Sequence, residues 1–331
     1  LSVYKKAVVT GAEGFIGRAV ADRLRADGVS VAGIDVHSTH PDVMAGDISR
    51  DGPWLETLDG ADLVVHAAAY VHMAGDRDIF HGVNVAATRR VLDAARRAGV
   101  KRFVHLSSTA VYSERFPPNV DETHPPRISG NLYVDTKIAS EQVVFQAHAA
   151  GEIPVTVIRP GDVYGPGSRP WTVVPVEMMK RRQFMLPGNG KGIFSPIYID
   201  DLVSGLLLAA EHPDATGQAF NISCAQGVSN KEFFGHYARM LGVPLTCVPT
   251  MFVLPMAHAG YRLSRFLPIS PDMNVPTVRF LLRENSHSIE KARSVLGWEP
   301  QVSLEDGMRS TERWLRESGL LAKGRDGDGD G

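Results

Sequence analysis

Thr10-Gly11-Ala12-Glu13-Gly14-Phe15-Ile16-Gly17 follows directly on the apolar run Ala7-Val8-Val9, and its reading decides the fold. Three glycines spaced G-x-x-G-x-x-G lie between a short strand and a helical pattern over residues 18–26. Gly11 lets the chain turn sharply out of the strand. Gly14, without a Cβ, lets the backbone approach a pyrophosphate. Gly17 lets the helix pack closely on the sheet. The helix N-terminus then faces the phosphates with unpaired N–H groups and the positive end of its dipole, and Phe15 and Ile16 within the turn are expected at the cofactor. A dinucleotide is expected here.

The next strand, residues 29–34, ends at Asp35, 18 residues after Gly17. A carboxylate about 20 residues after the glycines accepts hydrogen bonds from the adenosine ribose and repels a 2′-phosphate. Asp35-Val36-His37-Ser38 carries no arginine to receive such a phosphate. NAD is therefore expected over NADP.

Strand and helix patterns alternate from there. Residues 7–10, 29–34, 63–68, 102–107 and 155–159 read as short buried strands, and residues 18–26, 84–98 and 133–150 as helices. This alternation implies an α/β fold, a Rossmann doubly wound parallel sheet with ligands beyond the carboxyl ends of its strands. Asp47-Ile48 and His66-Ala67-Ala68-Ala69 fall near such ends. Asp47 is placed to accept from an adenine amino group, and Ala67, Ala68 and Ala69 leave room for the cofactor. After Arg159 the pattern breaks into Pro/Gly loops and shorter elements. The expected division is a dinucleotide-binding domain over 1–160 with a return segment near 196–212. A smaller C-terminal substrate-binding domain over 161–320 and a disordered tail over 321–331 complete it.

With 331 residues, 44% hydrophobic and 22% charged, the chain has the composition of a globular enzyme. A net charge of −2 gives nucleic acid no electrostatic hold. Cys224 and Cys247 form neither a metal nor a redox spacing, and the first strand begins within ten residues, so a cytoplasmic location is expected. The apolar stretch 251–257 is too short to cross a bilayer, so no integral membrane segment is expected. The twelve histidines show no metal-ligand spacing, and the acidic tail 324–331 stops short of a calcium loop. No metal is expected.

Tyr133-Val134-Asp135-Thr136-Lys137 carries the chemistry. Tyr133 and Lys137, four apart on a helix, share one face. A nearby ammonium and an oxidised nicotinamide favour the phenolate and lower the phenol's pKa, and the same lysine can bond the nicotinamide ribose. The strand over residues 102–107 delivers Ser107-Ser108-Thr109 to the sheet edge, where a hydroxyl holds the substrate oxygen against the tyrosine. These are the parts of a proton relay for hydride transfer at a C–OH/C=O centre.

In these features the chain resembles the extended short-chain dehydrogenase/reductases, the NAD-dependent epimerase/dehydratase superfamily, over about residues 5–316. The landmarks are the glycine turn, Asp35, Asp47-Ile48, His66–Ala69, Asn84, Ser107-Ser108, Val111-Tyr112, Tyr133/Lys137, Arg159-Pro160-Gly161, Val163-Tyr164-Gly165-Pro166 and Leu296-Gly297-Trp298-Glu299-Pro300. The resemblance implies that Tyr133 is the general acid/base, Lys137 its partner and Ser108 the third catalytic residue. It places Ser107 at the cofactor, Asn84 beside the nicotinamide end, and Pro160 to Val163 along the carboxamide wall. It also implies a homodimer through helices 84–98 and 133–150. Two departures stand out: Ser113 where glycine is common, and Thr136 where serine is common.

The superfamily includes sugar-nucleotide epimerases and dehydrogenases of apolar alcohols. Phe194 aligns with an arginine of the sugar-nucleotide enzymes, residues 282–288 lack their Arg-Pro-Gly-Asp segment, and Asp162 replaces a common asparagine with a carboxylate that repels phosphate. Residues 187–201, 252–257 and 288–314 look instead like the 3β-hydroxysteroid and sterol dehydrogenases. The expected activity is an NAD-dependent dehydrogenase or ketoreductase of a largely apolar secondary alcohol. Thr109, Tyr164, Arg169 and Phe194 are its expected substrate contacts. A sugar-nucleotide epimerase is the alternative. A non-catalytic NAD-binding protein is a third reading, against which the presence of Ser108, Tyr133 and Lys137 weighs.

Overall fold

The computed structural model describes residues 2–72, 75–253, 255 and 275–322. Half of the 252–257 stretch (254, 256 and 257) and residues 323–331 of the expected tail lie outside the described residues. The first half runs β1 (Lys6–Thr10), α1 (Phe15–Ala26), β2 (Ser30–Asp35), β3 (Val43–Ala45), β4 (Leu63–His66), α2 (Arg77–His81), α3 (Ala87–Arg97), β5 (Arg102–Leu106), α4 (Leu132–Ala149) and β6 (Val155–Pro160). The second runs β7 (Asp162–Tyr164), α5 (Val174–Lys180), β8 (Met185–Pro187), β9 (Ile193–Phe194), β10 (Pro196–Tyr198), α6 (Ile199–Glu211), β11 (Gln218–Ile222), β12 (Val228–Ser229), α7 (Asn230–Leu241), β13 (Thr246–Val248), α8 (Val275–Leu281), α9 (Glu290–Leu296) and α10 (Leu304–Glu317).

Seven parallel strands form the central sheet in the order β11-β6-β5-β4-β1-β2-β3. Covered on both faces, they are near-continuous apolar runs. Alternate residues divide between two cores. Ala7, Val9, Leu63, Val65, Val104 and Ile158 pack with Val20 and Leu24 of α1 and Leu202 and Leu206 of α6. Val8, Ile34, Val64, Phe103, Val155 and Val157 pack with Val91 and Leu92 of α3 and Val144 and Ala147 of α4. The chain leaves β1 for β2 on one side and reaches β4 on the other, so a crevice opens between the carboxyl ends of β1 and β4, where dinucleotides bind in such sheets.

The return segment is longer than expected. Beyond α6, which packs on α1 and the sheet, β11 pairs with β6 and closes the sheet edge. The sequence reading also missed β3, only three residues long. The helix expected over 84–98 starts earlier, as α2, passes through a π-helical turn at Gly82–Ala86, and continues as α3. Among the described residues no helix is long and apolar enough to cross a membrane.

Candidate active site

The glycine turn lies at the β1–β4 crevice. Gly11 has φ +71°, and a Cβ there would stand 2.8 Å from the Ala68 backbone nitrogen. A Cβ on Gly17 would stand 2.1 Å from the Gly11 carbonyl oxygen, so this glycine admits the helix to the turn more than to the sheet. Helix α1 starts at Phe15, three residues before the expected start, with exposed Gly14 as its N-cap and no side chain capping it. Its first N–H groups are left for a ligand. Ala67, Ala68 and Ala69 are half-buried at the end of β4.

Asp35 ends β2 and accepts hydrogen bonds from the Glu13 N–H (3.0 Å) and the Val36 N–H (2.8 Å). Glu13, which sequence reasoning passed over, accepts from the Thr39 N–H (2.7 Å), the Thr39 hydroxyl (2.7 Å) and the His40 N–H (3.0 Å). These bonds, Thr39's first, hold its carboxyl down at about 2. The glycine turn and the loop after β2 are thereby tied together beside Asp35. Asp47 accepts from the Ser49 N–H at 2.9 Å, and Ile48 is buried.

Strand β5 and helix α4 bring the three expected catalytic residues together. Ser108 caps a short 3-10 turn (Thr109–Tyr112) by accepting from the Ala110 N–H at 3.1 Å, and its side chain lies toward the Tyr133 phenol and lowers the phenol's pKa. Asn131 caps α4 through the Tyr133 N–H (3.0 Å). Asp135 accepts from the N–H groups of Ser129 and Gly130, away from the Tyr133/Lys137 face, as expected. Lys137 is buried, and its Nζ donates to the Leu106 carbonyl at 2.7 Å, against the end of β5. Burial pulls Lys137 down to about 8, opposed by the charge of Glu141 one turn later. Burial raises the Tyr133 phenol, opposed by the Ser108 side chain. The sequence reading expected a lowered phenol with the lysine and an oxidised nicotinamide together; in the protein alone desolvation is the larger effect.

Some expected contacts take other places. Asn84 is buried in the π-helical turn. It accepts from the Tyr70 N–H (2.6 Å) and donates to the Tyr70 carbonyl (3.1 Å) and the Thr136 hydroxyl (3.0 Å). It braces the loop after β4 against α4. Thr136 supplies the acceptor for that brace, which explains how threonine serves there. Phe194 is fully buried among Trp171, Phe233 and Phe234, so it is core and not a substrate contact. Tyr164 is likewise buried, edge-on to Tyr198 and Phe233. It borders a cavity of about 360 Å³ whose lining includes Asp201 and Cys224 and none of Ser108, Tyr133 or Lys137. Thr109 is buried in the 3-10 turn. Arg169 is exposed, two residues after Gly167, whose Cβ position lies 3.7 Å from the Phe15 ring; its segment sits over the glycine turn.

The ion pairs were not visible in sequence. Arg159 bonds both Glu141 oxygens (2.9 and 2.7 Å) and the Tyr112 hydroxyl (2.8 Å), and Tyr112 donates to Asn221 at 2.9 Å. Asp162, expected to repel phosphate as a lone carboxylate, is buried and accepts from Arg283 (2.7 Å) and the Ser195 N–H (2.8 Å). Pro160, which ends β6, and Val163, next to Asp162 in β7, are buried.

A dinucleotide fits these residues. The glycine turn and uncapped helix suit its pyrophosphate. The buried Ser107 hydroxyl, beside Ser108, has no hydrogen-bond partner among the described residues and suits a polar group of the ligand. Fold and site together define a Rossmann oxidoreductase with a Ser-Tyr-Lys constellation. The model of the NAD dependent epimerase/dehydratase family matches residues 7–223, and the chain belongs to that family. It is 29% identical over 332 residues to a 4-hydroxy-2-methyl-3-oxo-4-farnesyl-3,4-dihydroquinoline-1-oxide ketoreductase of Stigmatella aurantiaca, covering 96% of this chain and 97% of the relative. It is 28% identical over 341 residues to the decarboxylating sterol-4-alpha-carboxylate 3-dehydrogenase of Mus musculus, covering 94% and 91%. Among solved structures it is similar to MoeE5 in complex with UDP-glucose and NAD, with a TM-score of 0.77, 25% identity, and 95% and 99% of the two chains covered.

Proposed function

We propose that the chain is an NAD-dependent dehydrogenase or ketoreductase acting on a secondary alcohol or ketone with a largely apolar body. Bound NAD takes up or returns the hydride. Tyr133 removes or supplies the hydroxyl proton, Ser108 holds the substrate oxygen against it, and Lys137 keeps the positive charge that favours the phenolate. The glycine turn, Asp47, Ile48, the 67–69 alanines, Ser107, Pro160 and Val163 hold the cofactor. Asp35, kept in place by the Glu13 N–H, selects NAD over its 2′-phosphorylated form. Residues 161–320 close over the substrate, and helices 84–98 and 133–150 form a dimer interface.

The observation that carries the apolar-substrate reading is the Asp162–Arg283 pair. A carboxylate 2.7 Å away matches the Arg283 charge, so this arginine offers no unpaired cation to a diphosphate. The ketoreductase and sterol dehydrogenase relatives support the same reading. The likeness to a structure holding UDP-glucose favours a second one, in which the hydride returns to a sugar nucleotide. Absorbance at 340 nm with NAD and a panel of hydroxysteroids, other apolar secondary alcohols and UDP-sugars separates the two. Net NADH with an apolar alcohol is expected. A UDP-sugar converted without net NADH would replace this reading with epimerisation.

A further inference from the structure

Beyond the catalytic triad, a second polar group lies buried at the same end of the sheet. Arg283 and His287 are both nearly inaccessible, at 3% and 2% exposure. Among the described residues, Arg283 Nε, both ring nitrogens of His287 and the Ser195 hydroxyl have no hydrogen-bond partner. A buried polar group left without a partner is costly to the fold. A core filler would not need them, since the His287 ring already stacks on Phe116 (centroids 4.9 Å apart) and faces Tyr112 (5.8 Å) as a phenylalanine would. Phe116 and Tyr112 belong to the same apolar cluster as Tyr133, which joins this group to the catalytic end.

The charge of the group fixes what it accepts. Arg283 is balanced by Asp162, and burial holds the His287 imidazole well below its ordinary value, hence neutral. An anion would face the Asp162 carboxylate with no net positive charge to hold it. A neutral oxygen would accept from Arg283 Nε or from the ring N–H, and a hydroxyl would donate to the other ring nitrogen.

We propose that Arg283, His287 and Ser195 form a charge-neutral subsite that binds a carbonyl or hydroxyl oxygen at the end of the substrate remote from the reacting carbinol. The proposal rests on the apolar-alcohol reading above and names the second polar group that such a substrate carries.

Two 3β-hydroxysteroids identical except at the far ring, one bearing a 17-ketone and one its 17-deoxy analogue, test it by initial rates of NADH formation. The wild-type protein is expected to show a KM for the ketone lower by about tenfold, the scale of one well-made hydrogen bond. In His287→Phe, which keeps the ring stacking, that ratio falls toward one. Equal KM values in the wild-type protein overturn the subsite while leaving the dehydrogenase reading in place, and this comparison needs no variant to fold. An unchanged ratio in His287→Phe removes His287 from the subsite and overturns the assignment. If neither steroid forms NADH while UDP-glucose is turned over, the dehydrogenase reading falls and the subsite with it.

Discussion

A phenol that burial holds protonated reacts as a base only where its phenolate is stabilised, and beside Tyr133 stand the Ser108 side chain and, one turn along the helix, Lys137. The serine hydroxyl accepts from the Ala110 N–H, which holds its oxygen at the start of the 3-10 turn. Tyr133→Phe keeps the ring and its packing and deletes only the acid/base oxygen. Its kcat is expected to fall by at least about 10²-fold, the lower range for a positioned proton-transfer group. NAD affinity, read by titration of intrinsic fluorescence, stays near the wild-type value. Retained turnover would move the proton to another residue. Ser113 shows how a departure from the family pattern is accommodated at this scale. Its φ of 67° lies in the region glycine tolerates best, so the side chain is held there by its surroundings at a backbone cost.

Elements fix where these residues stand, and the turn between β1 and α1 carries the tightest tolerance. The 2.1 Å separation at Gly17 involves backbone on both sides, so no rotamer change relieves it. Gly17→Ala must push α1 away from the turn and dislocate the N–H groups aimed at the phosphates. We expect NAD binding to weaken by more than tenfold and the melting temperature to fall; calorimetric titration and a thermal melt read the two. Unimpaired binding would mean that the helix start does not hold the pyrophosphate. This element was legible in sequence because its requirements are local: a strand, glycines at fixed spacing, a helix. Helix α4 was legible for the same reason, through Tyr133 and Lys137 on one face. β3 was not, since three residues carry no periodicity, nor β11, which becomes a strand only through its register with β6. The Asp162–Arg283 and Arg159–Glu141 pairs join residues 121 and 18 apart. Nothing at either residue announces its partner. Phe194 was misread for a related reason: alignment gave its position in the chain, and only packing shows that the ring is sealed in the core.

At the scale of the whole molecule, the fold keeps three histidines among the described residues buried and neutral: His66 between Thr10 and Thr88, His105 against Ser140, and His287 in the proposed subsite. Burial takes His66 down to about 3 and the other two well below their ordinary value. Unfolded, each binds a proton near pH 6.5; folded, none does until far lower pH. The unfolded state therefore holds more protons in this window, and stability falls as pH drops from about 6.5, by up to about 1.4 kcal/mol per pH unit for each histidine. Carboxylates held low in the folded state, such as Glu13 and Asp62 at about 2, lose their contribution only below their unfolded pKa near 4. Glu122 and Asp162, raised by burial, act in the opposite sense and soften the slope. The histidines still govern the range between pH 6.5 and 5, because there are three and their shifts are large. Urea unfolding at pH 7, 6 and 5 is expected to give a steadily falling free energy, and His105→Gln, which removes one titrating ring, a shallower fall. A free energy level across that range would mean that these rings take up protons in the folded state, and that the core around β4, β5 and the subsite admits charge.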